Sequence, residues 1–420
     1  MHQKTTLDNG LRVITANMPH TRAVSVCIFI GVGSRYETEP EAGISHFIEH
    51  IFFKGTQKRP SSREISEAIE GVGGIINGGT DKELTLYWCK AAQPHFPLAL
   101  DVLADILLHS RFEPGDIENE RQVIIEELNM ERDSPAHLVD LLIDELLWPA
   151  HPLGRDIAGS KGTVTSISRE MMLDYLGRQY LPENTVVAIA GDVQHEEMLT
   201  AVGQALGKWT NPKPSPKYSA YKEQKFPRLY IKTKETEQAH LCLGLSGLSI
   251  DHPKRFTLDL LNVILGEGMS SRLFTEIRDR LGLAYSIHSF VDHFLDTGSI
   301  IIYAGVETKN LGVAVNAILE QLARLKETVP EAEITKAKEL SKGRLLLRME
   351  DSHSVAAWGG GQEVLTGQIL SVDEITAIID AITAEELRQI ANELLVSNQL
   401  RLAVVGPVAQ DAPLDKLLRL

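Results

Sequence analysis

The chain has 420 residues, of which 43% are hydrophobic and 24% charged, with 42 Lys and Arg set against 57 Asp and Glu for a formal charge of −15. Such a composition describes a soluble globular protein with room for roughly two to four domains. Its acidic balance excludes nucleic acid and anionic membrane as main partners, because both are held by clustered Lys and Arg. No run reaches about 18 consecutive apolar residues, so no membrane span is expected, and the N-terminal residues lack the charged leader and apolar run of a signal peptide. Three scattered cysteines, Cys27, Cys89 and Cys242, read as buried small hydrophobes in a reducing compartment, which makes a cytoplasmic location the expectation.

In chain order, Leu11 to Ala16 and Val24 to Ile30 alternate as strands, and Ile44 to Phe53 has a helical period. An amphipathic stretch from Ser62 to Glu70 precedes a glycine-punctuated strand from Gly73 to Thr80 and a second strand from Glu83 to Lys90. Helical patterns follow at Phe96 to His109, Pro114 to Arg132 and Ala136 to Leu147. From Thr210 to Pro227 proline, lysine and serine replace any apolar period, the signature of an interdomain linker. Beyond it come a strand at Ala239 to Ser249, helices at Lys254 to Leu265 and Ser271 to Arg280, and strands near Ala284 to Phe290 and Thr297 to Ala304.

The two halves begin and end alike. Ala23 to Gly33 matches Ala239 to Ser249 in pattern, and Asn184 to Val193 matches Asn398 to Val408, so an internal duplication is inferred. Strands and helices alternate without a regular βαβ rhythm, which points to an α+β fold. The expectation is two homologous α/β-sandwich domains, at 1–209 and 228–420, joined by a linker at 210–227. Each would be a mixed, mostly antiparallel sheet with helices on one face.

The sharpest local feature is His46-Phe-Ile-Glu49-His50 on the first helix. Histidines at i and i+4 stand one above the other on one face, at a spacing that lets both grip a single metal ion. Glu49 lies beside that face, where it can reach a water on the metal and act as a base. A catalytic zinc takes a third protein ligand from another rigid element. The helix containing Glu118, Glu120, Glu126, Glu127 and Glu131 offers several acids, and Glu120 and Glu127, two turns apart, share a face.

With Glu127 lying 77 residues after His50, inside ERQVIIEELNMERDSP, the pattern resembles the zinc signature of the pitrilysin family, the inverzincins, to which insulin-degrading enzyme and the mitochondrial processing peptidase belong. The resemblance implies a zinc metalloendopeptidase in which His46, His50 and Glu127 are zinc ligands, Glu49 is the base, and Glu120 orients a ligand. Gly73 to Trp88 resembles the family's active-site edge strand, which implies substrate-binding roles for Gly74, Asn77, Gly78, Gly79 and Thr80. The family usually has Asn-Ala where this chain has Asn77-Gly78. The stretch from His151 to Ser160 is family-like and read as structural. In the second half the first helix has no His-x-x-Glu-His, so the duplicate site is expected to be metal-free. Arg278 and Tyr285 there match the family's arginine/tyrosine pair, implying donors to the substrate carbonyl and the developing oxyanion.

Larger members of the family join four homologous domains around a chamber, and this chain has two. The resemblance therefore implies a homodimer enclosing unfolded peptides or leader segments, each zinc site completed in trans by Arg278 and Tyr285 of the second copy. Two alternatives stand beside it: a catalytic subunit that needs a different, zinc-free partner, and a non-catalytic structural homologue.

Overall fold

The computed structural model describes residues 2–210, 216–222 and 227–420. The chain divides into two compact units, one built from Met1–Leu128, Asp156–Ser219 and Leu346–Ser371, the other from Asn129–Arg155, Ala220–Leu345 and Val372–Leu420.

In the first unit the strands are β1 (His2–Thr6), β2 (Arg12–Asn17), β3 (Ala23–Ile30), β4 (Ile75–Thr80), β5 (Thr85–Ala92) and β6 (Thr185–Gly191). They pair in the order β1-β2-β6-β3-β5-β4, antiparallel throughout except where β2 runs parallel to β6. The helices of the first half of the chain are α1 (Ile44–Phe52), α2 (Ser62–Glu70), α3 (Phe96–His109), α4 (Pro114–Asp133), α5 (Pro135–Leu147), α6 (Lys161–Ser166), α7 (Arg169–Gln179) and α8 (His195–Leu206).

The second unit has β7 (Leu229–Thr233), β8 (Ala239–Ser246), β9 (Ala284–His293), β10 (Gly298–Val306) and β11 (Arg401–Gly406), in the order β7-β11-β8-β10-β9. Here β7 and β11 are the parallel pair. With β1 set aside, the two orders correspond strand for strand, β2-β6-β3-β5-β4 against β7-β11-β8-β10-β9, as an internal duplication requires. The helices of this half are α9 (Arg255–Gly266), α10 (Leu311–Leu325), α11 (Glu331–Arg348), α12 (Ser352–Thr366), α13 (Val372–Ala381) and α14 (Ala384–Leu394).

Central strand β3 is buried at nearly every position because both of its faces are covered. On one face Val24, Val26 and Ile28 join Phe47 and Ile48 of α1 and Val102 and Leu103 of α3. On the other, Cys27 and Phe29 pack with Val355 and Ala356 of α12. Burying each such Val, Ile or Phe contributes about 1.5–3 kcal/mol before ordering costs. Strand β8 repeats the scheme: Leu241, Leu243 and Leu245 meet α9 and α10, and Cys242 meets Val139, Ile143 and Leu146 of α5. All three cysteines are free and buried.

The contiguous halves expected from the sequence thus differ from the compact units by a reciprocal exchange. Asn129–Arg155, carrying α5, joins the second sheet, and Leu346–Ser371, carrying α12, joins the first. The exchanged helices are themselves counterparts, each following a long helix, α4 or α11. Part of the expected linker at 210–227 lies outside the described residues, and 216–222 contain neither helix nor strand. Two local boundaries also shift. Strand β4 starts at Ile75 rather than Gly73, because Gly73, at φ +72°, and Gly74 close the end of α2 with hydrogen bonds to Glu70 and Ile69 carbonyls. The helix expected at Ser271 to Arg280 is wound as a π-helix over Phe274–Arg280.

No helix among the described residues is long and apolar enough to cross a membrane.

Candidate metal centre

Helix α1 divides its residues by face. Ile44, Phe47, Ile48, Ile51 and Phe52 are buried in the core, leaving His46, Glu49 and His50 on the partly open side. Its N-terminus is held by the buried carboxylate of Glu37, which accepts from the backbone N–H groups of Gly43 at 2.8 Å and Ser45 at 2.9 Å. An acid there satisfies orphan donors and complements the helix dipole. Gly43 has φ +94°, and a Cβ on it would lie 2.5 Å from the Ala158 carbonyl oxygen, so glycine is required where the chain enters the helix. The backbone around Ala158 thus packs closely against the entry to α1.

Helix α4 brings the acids. Ile117, Ile124, Ile125 and Leu128 bury one side of it, and the Arg121 guanidinium donates to backbone carbonyls of Val164, Thr165 and Ile167 at the end of α6. So anchored, α4 presents Glu120 and Glu127 to the histidines. His46 Nε2 and His50 Nε2 are 3.1 Å apart, and Glu127 Oε2 lies 3.8 Å from the first and 3.7 Å from the second. Glu120 Oε1 is 2.9 Å from His50 Nδ1. Glu126, on the same helix, is not in this cluster.

The donor set suits zinc. Two nitrogens about 2.0–2.1 Å from a tetrahedral zinc lie about 3.4 Å apart, close to the separation of the two Nε2 atoms. Among the described residues His46, His50 and Glu127 form the one group of three or more His, Cys, Asp or Glu ligand atoms close enough to share an ion. Glu120, as a carboxylate, can only accept, so the His50 proton sits on Nδ1 and the Nε2 lone pair faces the ion's place. Burial, with a smaller contribution from His50, pulls the His46 pKa down to about 4, which keeps that ring neutral and able to ligate.

Glu49 points to the edge strand. Its Oε2 accepts from Thr80 Oγ1 at 2.6 Å. Burial pushes its carboxyl above the usual carboxylate range, with Thr80 and His50 pulling the other way and Glu127 adding to the rise. A carboxyl so placed can both take and return a proton. The missing methyl of Gly78 matters at this point: a Cβ there would sit 3.0 Å from Phe53 Cε2 and 3.1 Å from Glu49 Cγ. The Asn77-Gly78 sequence therefore lets α1 and β4 close on each other.

Among the described residues strand β4 is the outermost strand of its sheet and pairs only with β5. Asn77 is exposed on it, and a Cβ on Gly79 would meet nothing within 4 Å. A cavity of about 320 Å³ opens at its start, lined by Phe53, Ser66, Glu70 and Gly74 to Asn77. Arg278 and Tyr285 belong to the second unit, where the guanidinium lies 4.9 Å from the Tyr285 ring centroid and 4.5 Å from that of Phe274. Tyr285 is 77% exposed. One residue of the centre was not anticipated: Lys54, whose Nζ is 2.6 Å from Glu120 Oε2. Its place four residues after His50 continues the ladder of His46 and His50, and that spacing was the signal available.

Residues 12–161 match the family model described as Insulinase (Peptidase family M16), and residues 166–341 match the one described as Peptidase M16 inactive domain. The chain is 36% identical over 413 residues to a Bacillus subtilis (strain 168) protein named uncharacterized zinc protease YmxG, covering 97% of this chain and 98% of that one. An uncharacterized zinc protease of Mycobacterium leprae (strain TN) is 36% identical over 423 residues, with 99% and 94% covered. The fold is similar to the crystal structure of a protease from Helicobacter pylori, at a TM-score of 0.91 and 24% identity over 97% of this chain and 99% of that one. A peptidase M16 inactive domain from Pseudomonas fluorescens gives 0.90 and 18%, with 98% and 100% covered. With relatives of that identity along nearly their whole length, the chain belongs to peptidase family M16.

Proposed function

We propose that this protein is a zinc-dependent endopeptidase acting on unfolded peptides or leader segments. The observation that carries the reading is the convergence of His46, His50 and Glu127 from two helices, with Glu49 beside them on the edge-strand side. Those three side chains would hold one zinc per chain. Zinc supplies a Lewis acid that polarises a peptide carbonyl and makes a neighbouring water more acidic. Glu49 takes the proton from the attacking water and delivers it to the leaving amine, and the remaining proton of the new acid passes to that amine as well, so peptide and water become carboxylate and ammonium. Its raised pKa suits both transfers, and the Thr80 hydrogen bond fixes the carboxylate while they occur.

Substrate binds as an added strand along the outer edge of β4, where the Asn77 side chain, which now accepts the Gly78 N–H at 2.8 Å, yields that donor to the backbone of an extended sequence. Arg278, half-buried with its guanidinium over the Tyr285 ring, and the exposed Tyr285 serve the substrate carbonyl and its oxyanion in a homodimer whose sites are completed across the two copies. A cytoplasmic location belongs to the same reading and is supported by the three unpaired cysteines.

Elemental analysis beside cleavage of a quenched, unstructured peptide, with and without a chelator, tests the proposal. About one zinc per chain and chelator-sensitive cleavage by a self-dimer are expected. Zinc without cleavage by the pure chain turns the reading toward a subunit awaiting a different partner, and no zinc after reconstitution favours a structural homologue. Mixing inactive Glu49→Gln chains with inactive Tyr285→Phe chains should restore activity if sites are completed in trans, and no recovery despite proven subunit exchange places the whole site in one chain.

A further inference from the structure

We infer that Lys54 is a positioning residue of the metal centre: it clamps Glu120 so that this carboxylate holds the His50 ring in the orientation that ligates. The inference rests on the zinc site proposed above.

The geometry is a ladder against a ladder. His46, His50 and Lys54 recur at intervals of four residues, the last just beyond the end of α1, where its backbone N–H still bonds the Ile51 carbonyl at 3.0 Å. Facing them on α4, Glu127 and Glu120 are one heptad apart, so Glu127 meets the two histidines while Glu120 meets His50 and Lys54. Glu120 is 5% exposed, and its two oxygens are divided between partners: Oε1 takes the His50 Nδ1–H at 2.9 Å and Oε2 takes Lys54 Nζ at 2.6 Å.

A carboxylate held on one oxygen alone can turn about its last torsion, which is soft. Held on both, it cannot leave His50 without also breaking a charge-assisted bond to a partly buried ammonium. Lys54 also offsets charge, since Glu120 shares this corner with two further acids, Glu49 and Glu127. Removing the ammonium leaves a buried oxygen without its partner, and the carboxylate relieves that by rotating toward solvent. His50 then loses the acceptor that fixes its ring, and with it the placement of Nε2 toward His46 and Glu127. Partners of this kind typically change metal affinity by about 10- to 100-fold.

The test measures zinc affinity of the full-length protein by competition with a fluorescent chelator, for wild type, Lys54→Met, Lys54→Arg and Glu120→Gln, with far-UV circular dichroism as the check on folding. Lys54→Met is expected to weaken zinc binding by about tenfold or more, as Glu120→Gln does, and Lys54→Arg to recover most of the loss. Nitrogen-15 imidazole NMR of the metal-free protein supplies a readout that loss of packing would not move: a slowly exchanging His50 Nδ1–H signal present in wild type and Lys54→Arg and absent in Lys54→Met. If Lys54→Met fails to fold, Lys54→Gln replaces it, keeping a donor but not the charge, and a weakening between those of Arg and Glu120→Gln is expected. Wild-type affinity and an unchanged His50 signal in the folded Met or Gln variant overturn the role of Lys54 while leaving the zinc site intact. Absence of zinc binding in wild type overturns the site itself.

Discussion

The two units hold the same corner in two chemical states. In the first, Thr80 of β4 donates to Glu49 of α1 at 2.6 Å; in the second, Ser289 of β9 donates to Asn262 of α9, also at 2.6 Å. Both strands are outermost in sheets of matching order, and both helices follow the corresponding strand. Aligned on these hydroxyl bonds, the positions of His46 and His50 are taken by Asp259 and Val263. Val263 cannot ligate, and Asp259 pairs with His293 at 3.0 Å. The bond from edge strand to first helix therefore belongs to the architecture, while metal chemistry depends on what stands three residues before it and one after. In the proposed reaction Glu49 carries both duties, holding the strand through Thr80 and moving a proton.

The largest expected effect separates those duties. Glu49→Gln preserves a group that can bond Thr80 but cannot take a proton, so hydrolysis should fall roughly 10²–10⁴-fold with zinc content and folding unchanged. Its counterpart, Asn262→Ala, should leave the rate alone and cost about 1–3 kcal/mol through the stranded Ser289 hydroxyl. Steady-state rates, metal analysis and urea unfolding of both variants decide the matter. Loss of zinc in Glu49→Gln would mean that Glu49 has been mistaken for a base when it is a ligand, and an equal loss of rate in Asn262→Ala would break the comparison.

A smaller pair of effects tests the exchanged helices. In the first unit the close approach is made by the helix: a methyl on Gly360 of α12 would lie 2.3 Å from Phe29 Cε2 and 3.0 Å from Ala188 Cβ. In the second it is made by the strand, where a methyl on Gly244 of β8 would lie 2.9 Å from Ile143 Cγ1 and 3.1 Å from Leu147 Cδ1 of α5. The Phe29 ring would lie far inside contact distance of the added methyl, whereas the Ile143 and Leu147 atoms would be only a few tenths of an ångström too close. Gly360→Ala should thus cost about 1–3 kcal/mol from overpacking, less up to about 1 kcal/mol regained in helix propensity. Gly244→Ala should cost less, within about 1 kcal/mol. Urea midpoints in the reverse order would show that α5 is the more tightly seated of the two.

What the sequence disclosed and withheld follows from the range of each interaction. Helix α1 and its histidines were legible because five apolar residues and two histidines obey one short period, and Glu120 and Glu127 because seven residues return a helix to the same face. Strands β3 and β8 could be recognised as strands from their largely apolar runs, which also hold the cysteines read as buried. Nothing local announced that the second faces of those strands are covered by α12 and α5, since the complementarity of Gly360 with Phe29, or of Gly244 with Ile143, joins residues more than 100 positions apart. Lys54 is hidden for a different reason: a lysine two residues beyond a helix looks like a solvated end until the buried carboxylate opposite it is seen.

The smallest effect concerns the histidine that the second unit keeps. Burial alone would lower the His293 pKa, as it does for His46, and Arg255 acts in the same direction. Asp259, 3.0 Å from Nε2, and the Leu248 carbonyl, 2.6 Å from Nδ1, outweigh both and raise it above the ordinary 6.5. A group that holds its proton more tightly when folded stabilises the protein fully below the unfolded value, near pH 6.5, and loses that contribution as pH rises through the raised folded value. Asp259 is 45% exposed, so screening keeps the whole contribution below about 1 kcal/mol. His293→Asn should accordingly lower the urea midpoint of the chelated protein most at pH 5.5–6 and progressively less toward pH 8.5. A difference that stays constant across this range would mean that His293 acts only through neutral hydrogen bonds, and that the charge has been removed from this corner along with the metal ligands.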